Sequence, residues 1–370
     1  MRFVKLAVML GGFAALQIPQ LAASSPFFEE PPELNILMSG GFREDDLKFH
    51  IGGDKPHPKV FSKVQWKNLK IAEIGASINY STCNHYYMRA SGDYGKIMRG
   101  RGSVANEFSI DHHRNEEINH HHHDLNPIYH KKGHKELSGE PCFDNIDHHH
   151  ERYSNAHHEF SKQKADAGYG YVYDFSGGVG YKVVSAGGRG WIAGIVGYSY
   201  NRQNLKMRHF EQKKDSRDIL KHEDINNLRG SYLTSWSGAW IGFDASAQIE
   251  CEVTAFATAE WHQVNFRGKG KWSNPGYSGK FRHHAPGYGA VGTLGFDWRP
   301  CDKWGFGVVG EYQQWSTRKG NNHGSNHFNE CNELKESSHL ISTFPIAEKS
   351  KLLRVKWISY SVSAVVTYRY

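Results

Sequence analysis

Residues 355–370, VKWISYSVSAVVTYRY, close the chain without a proline or a glycine. Their side chains alternate with a period of two. One face carries Ile358, Tyr360, Val362, Ala364, Val366, Tyr368 and Tyr370. The other face carries Trp357, Ser359, Ser361, Ser363, Val365, Thr367 and Arg369. The alternation predicts a β-strand with one apolar face, although the mean hydropathy of the chain is −0.64.

The same alternation predicts ten strands, at about residues 34–43, 60–80, 85–98, 168–183, 190–209, 229–249, 252–267, 287–299, 304–318 and 354–370. Short polar turns lie near 81–84, 184–190, 250–252 and 299–303, and long polar segments lie near 43–60, 99–166, 211–228, 268–286 and 319–353. Short turns on one rim and long loops on the other are typical of an all-β transmembrane antiparallel barrel of the outer membrane, whose polar lumen keeps the mean hydropathy low. A soluble secreted β-sandwich or lipocalin-like barrel is the alternative.

The first 24 residues have the parts of a secretory signal peptide. Residues 1–5 are basic, residues 6–16 are apolar, and residues 21–25 offer small side chains for cleavage after Ala23 or Ser24. The sequence therefore predicts a signal peptide at 1–24 and a barrel at 25–370, with a buried N-terminal helix as the alternative reading of the first segment. No later apolar run is long enough for a transmembrane helix.

Composition and charge indicate the partners. The 39 glycines and 13% aromatic residues favour β-structure with aromatic girdles. The net charge of +7 favours outer-membrane lipid and lipopolysaccharide over nucleic acid, for which no motif is present. The terminal Tyr370 resembles the signal that the bacterial barrel-assembly machinery reads. Cations expected in the outer loops are Arg267, Lys269, Lys271, Lys280, Arg282, Lys213, Lys214, Arg318 and Lys319.

The inward faces of the predicted strands carry charged residues. We expect the lumen to be lined by Glu73, Arg89, Asp93, Asp174, Asp244, Glu260, Asp297, Arg299 and Glu311, with Lys182 as a further cation. The balance is acidic, and rings of charge of this kind set ion selectivity where a pore is open.

Seven stretches carry a family resemblance: VFSKVQWKNLKIAEIGASINY, YYMRASGDYGKIMRGRG, VYDFSGGVGYKV, VGYSYNRQNLKMR, SYLTSWSGAWIGFD, NFRGKGKW and GTLGFDWRPCDKWGFGVVGEYQQWSTRKG. In this order they resemble the Protochlamydia outer membrane protein family, barrels of environmental chlamydiae of which some are described as porins. The layout resembles more distantly the omptins, ten-stranded barrel proteases.

The omptin resemblance implies a protease site that this sequence does not supply. An Asp-x-Asp pair would fall at Ala105 and Glu107, so the first acid is missing. An Asp–His pair would fall within residues 265–272, NFRGKGKW, which hold neither residue type. Arginine and lysine cannot act as a general base at neutral pH, so no enzymatic activity and no catalytic residue are expected. The nearby Glu260 and His262 are interpreted as a polar lumen network, with catalysis as the alternative.

A histidine-rich segment lies in the second long loop, where 13 of the 24 histidines fall between His112 and His158. Such clusters bind Zn, Cu or Ni weakly, and this spacing matches no closed tetrahedral site. The candidate ligands are His120, His121, His122, His123, His148, His149 and His150. A solvated loop that gains charge below about pH 6.5 is the alternative. No cofactor is expected otherwise.

Five cysteines remain in a chain predicted to be exported. Cys83, Cys251 and Cys301 fall in three short turns, whereas Cys142 and Cys331 fall in long loops. An odd count leaves at least one thiol free or linked to another chain. Disulfide cross-links to other envelope proteins, an expectation that rests on the chlamydial resemblance, and unpaired thiols without a role are both open.

The sequence thus predicts a porin-like channel for small solutes. A non-conducting structural or surface-display barrel is the first alternative, and a degenerate omptin-type protease is the second. Barrels of about eight strands are filled by side chains, and open channels usually have roughly 16–18 strands, so ten strands leave at most a narrow path. A continuous water path past Arg89, Asp244 and Asp297 would support a channel. A lumen plugged by salt bridges would support surface display.

Overall fold

The structure is a computed structural model that describes residues 32–53, 59–109, 157–184, 189–215, 227–274, 277–301, 303–328 and 350–370. The expected signal peptide at 1–24 and the histidine candidates His120–His123 and His148–His150 lie outside these ranges. Within them, no helix is long and apolar enough to cross a membrane.

The described chain forms one closed antiparallel sheet. Its strands are β1 Glu33–Gly53, β2 Lys59–Ser81, β3 Tyr86–Ser109, β4 His157–Val184, β5 Gly190–Asp215, β6 Arg229–Gln248, β7 Val253–Asn274, β8 Tyr277–Trp298, β9 Trp304–Thr317, β10 Gly320–Phe328 and β11 Ser350–Arg369. Consecutive strands pair from β1 to β9, and β9 then pairs with β11. Pairing of β1 with β11 closes the ring. The predicted ten-stranded barrel is confirmed, and closure leaves no strand edge exposed to lipid.

The ninth position of the ring is shared by β9 and β10. β9 pairs with residues 287–298 of β8, and β10 continues along residues 277–284 of the same strand. The strand conformation is interrupted between them at Arg318 and Lys319, where the Arg318 amide donates a hydrogen bond to the Pro286 carbonyl at 2.9 Å. The sheet therefore holds eleven strands in a ten-position ring.

The strands extend well past the lengths predicted from the sequence. Strand residues occupy much of the segments expected to be loops, at 43–53, 99–109, 157–166, 211–215, 268–274, 277–286, 320–328 and 350–353. The reason is that the side-chain pattern inverts above the membrane. On β7, Phe266 and Trp272 point inward and are buried, while Arg267, Lys269 and Lys271 point outward into water. A search for strands with an apolar outward face therefore does not detect the part of each strand that lies above the membrane.

An apolar band surrounds the barrel on the side of the short turns. On β6, Ile241 is 62% exposed and Phe243 is 52% exposed, whereas Asp244, the next residue on the same strand, is 4% exposed. Asp244 therefore points into the lumen, and Ile241 and Phe243 point away from it. The same band includes Phe42, Ile74, Met88, Phe175, Val196, Leu294, Phe306 and Val362. It is the surface that a bilayer covers.

The tryptophans depart from the expected girdle arrangement. Of the ten in the chain, only Trp261, Trp298 and Trp304 have well-exposed side chains. Six are fully buried inside the barrel: Trp66, Trp236, Trp240, Trp272, Trp315 and Trp357. Glycines on the inner wall make room for them, and a Cβ added at Gly289 would overlap the ring of Trp315. Most of the tryptophan side chains thus pack inside the lumen.

Candidate functional site: a polar cavity beneath an aromatic plug

A cavity of about 290 Å³ lies inside the barrel on the side of the short turns. All nine residues expected to line the lumen line this cavity: Glu73, Arg89, Asp93, Asp174, Asp244, Glu260, Asp297, Arg299 and Glu311. Its mouth lies at the strand ends, where Arg369 forms an ion pair with Glu33 at 2.7 Å. Short turns face the periplasm in barrels of this kind, so the mouth opens toward the periplasm.

Arg43 forms the innermost charged layer of the cavity. Its Nε donates to Oδ1 of Asp45 at 2.8 Å, and its Nη1 lies 3.1 Å from Glu73 and 2.5 Å from Asp174. Gln203 donates to the second oxygen of Asp45 at 2.8 Å. The sequence pattern ended the first strand at Arg43 and placed Asp45 in a loop, so neither residue was predicted to lie in the lumen.

Arg89 organises a second charged group across the lumen. Its Nη1 donates to Oδ1 of Asp244 at 2.7 Å, and its Nη2 pairs with Glu260. The Tyr87 hydroxyl donates to the other oxygen of Asp244 at 3.1 Å, and the guanidinium lies 5.2 Å from the ring centre of Trp240. Since β3 and β6 supply Arg89 and Asp244, this pair connects strands that lie three positions apart in the ring.

A third pair lies closer to the mouth. Arg299 donates to Asp297 at 2.7 Å, and the Thr367 hydroxyl donates to the same carboxylate at 2.9 Å. Glu311 accepts hydrogen bonds from Gln313 and from Thr293. A channel would need a continuous water path past Arg89, Asp244 and Asp297, and all three side chains are engaged in ion pairs.

Ser199, His262 and Glu260 form a line that has the residue types of a catalytic triad. The Ser199 hydroxyl lies 3.0 Å from Nδ1 of His262, and Nε2 of His262 lies 2.8 Å from Glu260. Ser199 and His262 are 2% and 1% exposed, and His262 packs against Trp315 at 4.8 Å between ring centroids. A substrate has no access to this serine, so the line fits a polar network that joins the cavity wall to the packed core.

Above the cavity, ten buried aromatic side chains form what we call the aromatic plug: Phe49, Trp66, Phe210, Tyr232, Trp236, Phe266, Trp272, Phe281, Trp315 and Trp357. All are at most 1% exposed and belong to one contiguous buried cluster. Each of the ten ring positions contributes a residue to that cluster, including Ile97 of β3 and Val172 of β4. The cluster therefore spans the full cross-section of the barrel.

One polar pair lies inside the aromatic plug. The Tyr232 hydroxyl lies 2.7 Å from Nδ1 of His283, and the ring of Tyr232 stacks on Trp66 at 5.4 Å between centroids. His283 is above the apolar band, because Tyr288 is the last large exposed apolar residue toward the outer end of β8. Burial lowers the pKa of His283 to about 3, so its imidazole stays neutral at neutral pH.

The outer walls above the apolar band carry many cations. Arg267, Lys269 and Lys271 of β7 stand directly opposite His284, Arg282 and Lys280 of β8. On β1, burial lowers the pKa of Lys48, and the charges of Lys356, Lys63, Arg354 and Lys67 lower it further. Like charges at this spacing repel one another, so the surface favours anions.

The positions that the omptin resemblance singled out do not form a protease site among the described side chains. Ala105 is 8% exposed and pairs with Lys63 and Lys162 on the outward face of β3, whereas its neighbours Val104 and Asn106 point inward. The side chain of Glu107 lies outside those described. Residues 265–272 present their cations to the outside, as noted for β7. In the same described ranges, no three His, Cys, Asp or Glu side chains are arranged to hold a metal ion.

The three cysteines of the short turns are free thiols. Cys83, Cys251 and Cys301 are exposed at the periplasmic rim, in the β2–β3, β6–β7 and β8–β9 turns. Cys142 and Cys331 lie outside the described residues.

The sequence matches the family described as Protochlamydia outer membrane protein, over residues 37–134 and 135–370. The chain belongs to this family. Membership in the Protochlamydia outer membrane protein family and the closed barrel together indicate an outer-membrane location. No curated protein matches the sequence.

One of the solved structures that match this family member shares its fold at a TM-score above 0.5. The crystal structure of the outer membrane protease OmpT from Escherichia coli aligns with 94% of this chain and 99% of that chain, at a TM-score of 0.61 and 11% identity. This likeness shows the omptin-like fold and not the activity. The outer membrane protein OprG from Pseudomonas aeruginosa covers 92% of this chain and 98% of its own at 10% identity, but its TM-score of 0.30 is too low to bear on function.

Proposed function

We propose that this protein is a sealed outer-membrane barrel, which holds its outer rim and loops at the cell surface and does not conduct solutes through its lumen. The observation that carries the proposal is the aromatic plug, which belongs to a buried cluster with members from all ten ring positions. Below it, the lumen holds ion pairs centred on Arg43 and Arg89.

Opening the lumen would be costly for this packing. Trp315 and Trp357 stack at 5.6 Å with an angle of 11° between their planes, and Trp236 packs within 6.3 Å of both rings. An aromatic side chain of this size buries roughly 150–250 Å², so exposing one to water costs about 4–6 kcal/mol. A water path would have to expose several of them together.

The cationic outer walls support a membrane-anchoring role. Anionic headgroups of outer-membrane lipid, including lipopolysaccharide phosphates, suit the paired cations of β7 and β8 and the cations around Lys48. Delivery by the barrel-assembly machinery fits an outer-membrane barrel whose ring is closed by β11. Disulfide links to other envelope proteins through Cys83, Cys251 or Cys301 fit the exposure of these thiols.

A porin-like channel for small solutes is the second candidate. The charged cavity favours a channel, because it already opens part of the lumen from the periplasmic mouth. Only an opening through the aromatic plug would be needed to complete a passage. Proteolysis is not part of the proposal, since Ala105 replaces the first acid of the omptin pair. Weak Zn, Cu or Ni binding by the histidine-rich segment remains a separate proposal that rests on its composition.

A liposome-swelling assay tests the sealed lumen. Proteoliposomes that contain the refolded protein should swell in arabinose or glycine no faster than empty liposomes. Swelling that increases with the amount of inserted protein would contradict the sealed barrel and favour the channel.

A further inference from the structure

The cavity holds more negative than positive charge in its inner layer. Arg43 forms ion pairs with three carboxylates, those of Asp45, Glu73 and Asp174. Asp93 also lies within electrostatic reach of Glu73 and Asp174. One guanidinium thus faces at least four acids, and this excess calls for additional positive charge or bound protons.

Glu311 of β9 adds a further acid to the same layer, two ring positions from Arg43 of β1. It interacts electrostatically with Arg43 and also with the acids Asp174, Glu73 and Asp93, so the same guanidinium is shared by one more carboxylate. Its hydrogen bonds come from the neutral donors Gln313 and Thr293. These donors supply no positive charge, so the local excess is not neutralised by them.

An unpartnered atom points to a missing donor. The side chain of Asp174 is 10% exposed and lines the cavity. Its Oδ2 accepts a hydrogen bond from Arg43, whereas its Oδ1 has no hydrogen-bond partner among the residues that the structure describes. A buried acceptor without a donor is costly, so an N–H donor entering the cavity would satisfy an existing need.

The shape of the cavity favours an organic cation over a chelated metal. Its volume of about 290 Å³ exceeds what a bare ion fills and lies near the lower end of small-molecule sites. The described carboxylates are not grouped closely enough to hold a metal. At the mouth, the side chains of Glu33 and Arg369 are 25% and 46% exposed, so this end of the cavity is in contact with solvent.

We propose that the cavity binds a small linear polyamine from the periplasmic side, with one ammonium group donating to Asp174 and another between Asp93 and Glu311. The inference rests on the proposed closure of the outer half, which makes the cavity a blind pocket rather than a passage. The rival account is that Asp93 and Glu311 hold protons and the cavity binds no cation.

Calorimetric titration of the full refolded chain with spermidine at pH 7.5 and low salt tests the proposal. We expect saturable binding that weakens roughly tenfold or more in the double variant Asp93→Asn/Glu311→Gln, because two attractive charges are lost. The matched control is Glu44→Gln, an acid on the outward face of β1 that pairs with Lys70, which should bind spermidine as the wild type does. No saturable binding, or equal binding by both variants, would overturn the proposal.

A second measurement needs no variant. Spermidine should raise the urea midpoint of the wild type more than sodium chloride at the same ionic strength, because ligand that binds only the folded state stabilises it. Equal shifts in the two salts would overturn the proposal. If spermidine does not bind and the barrel does not conduct, the polyamine proposal fails and the sealed lumen is retained. If spermidine binds and the barrel conducts, the sealed lumen fails and the polyamine site is retained.

Discussion

Arg43 and Asp45 lie two residues apart on β1 and form an ion pair of 2.8 Å inside the barrel, with side chains that are 2% and 0% exposed. A strand places residues i and i+2 on one face, so the backbone itself aligns the pair. Two further carboxylates, Glu73 and Asp174, share the same guanidinium. Arg43 is therefore the group on which the inner charged layer depends.

Replacing Arg43 with methionine should destabilise the barrel strongly. The change leaves Asp45 buried without its partner, which typically costs about 3–5 kcal/mol. Urea unfolding of the refolded protein measures the loss. The control is Lys70→Met, which breaks the exposed pair with Glu44 and should cost at most about 1 kcal/mol. Equal effects of the two changes would contradict the role assigned to Arg43.

Gly289→Ala should destabilise the barrel by about 1–3 kcal/mol, because the new methyl group would overlap the ring of Trp315 in the aromatic plug. At Gly194 a Cβ would meet no atom within 4 Å, so Gly194→Ala should have little effect. The same urea titration compares the two variants. An unchanged stability of Gly289→Ala would mean that the aromatic plug is packed less tightly around Trp315 than the structure shows.

Phe243→Arg should impair assembly, since this side chain is 52% exposed within the apolar band and the substitution would bring a charge into lipid. A charge at mid-depth on the lipid face costs roughly 2–4 kcal/mol. The fraction of heat-modifiable, folded barrel in membranes is the measurement. Asn321→Arg, at an exposed position of β10 above the band, is the control. Normal assembly of Phe243→Arg would reverse the assigned faces of β6.

His283 should make stability depend on pH. Its pKa is lowered to about 3 in the folded state, below the ordinary value of 6.5. The unfolded chain therefore binds the extra proton first, and the stability present above pH 6.5 is lost as the pH falls toward 3. Between pH 7 and pH 4 the loss should be about 3 kcal/mol from this residue. His283→Gln should remove that part of the slope.

The matched control for the pH experiment is His323→Gln. His323 is an exposed residue of β10 that lies opposite Arg282. The pH dependence of the unfolding free energy should decrease more in His283→Gln than in His323→Gln. A wild-type slope that persists in His283→Gln would assign the titration to other groups.

The membrane-facing half of the fold was predictable because lipid enforces a strict rule. Apolar side chains must recur at every second position, as Tyr360, Val362 and Val366 do on β11. That rule gave the ring of ten strands and the inward direction of Asp244. It ended where the surrounding medium becomes water, so the outer extensions of β1 and β7 were assigned to loops.

The arrangement inside the lumen was less predictable for a geometric reason. Arg89 and Asp244 are 155 residues apart and meet only because the curvature of the ring turns β3 and β6, three positions apart, toward the same lumen. A period-two pattern identifies inward residues but not their depth or their partners. The same limit applies to the tryptophans. Trp236 and Trp357 were visible as aromatic residues, yet nothing local indicated that they pack inside the barrel with ring centroids 6.3 Å apart.

Planar-bilayer recording of the refolded wild-type protein tests the sealed lumen most directly. Insertion is checked separately by protection from added protease. The aromatic plug predicts a flat current without stepwise openings at either polarity, at salt concentrations at which open barrels conduct readily. Uniform, reproducible single-channel steps from the wild-type chain would contradict the sealed barrel and establish a continuous water path through it.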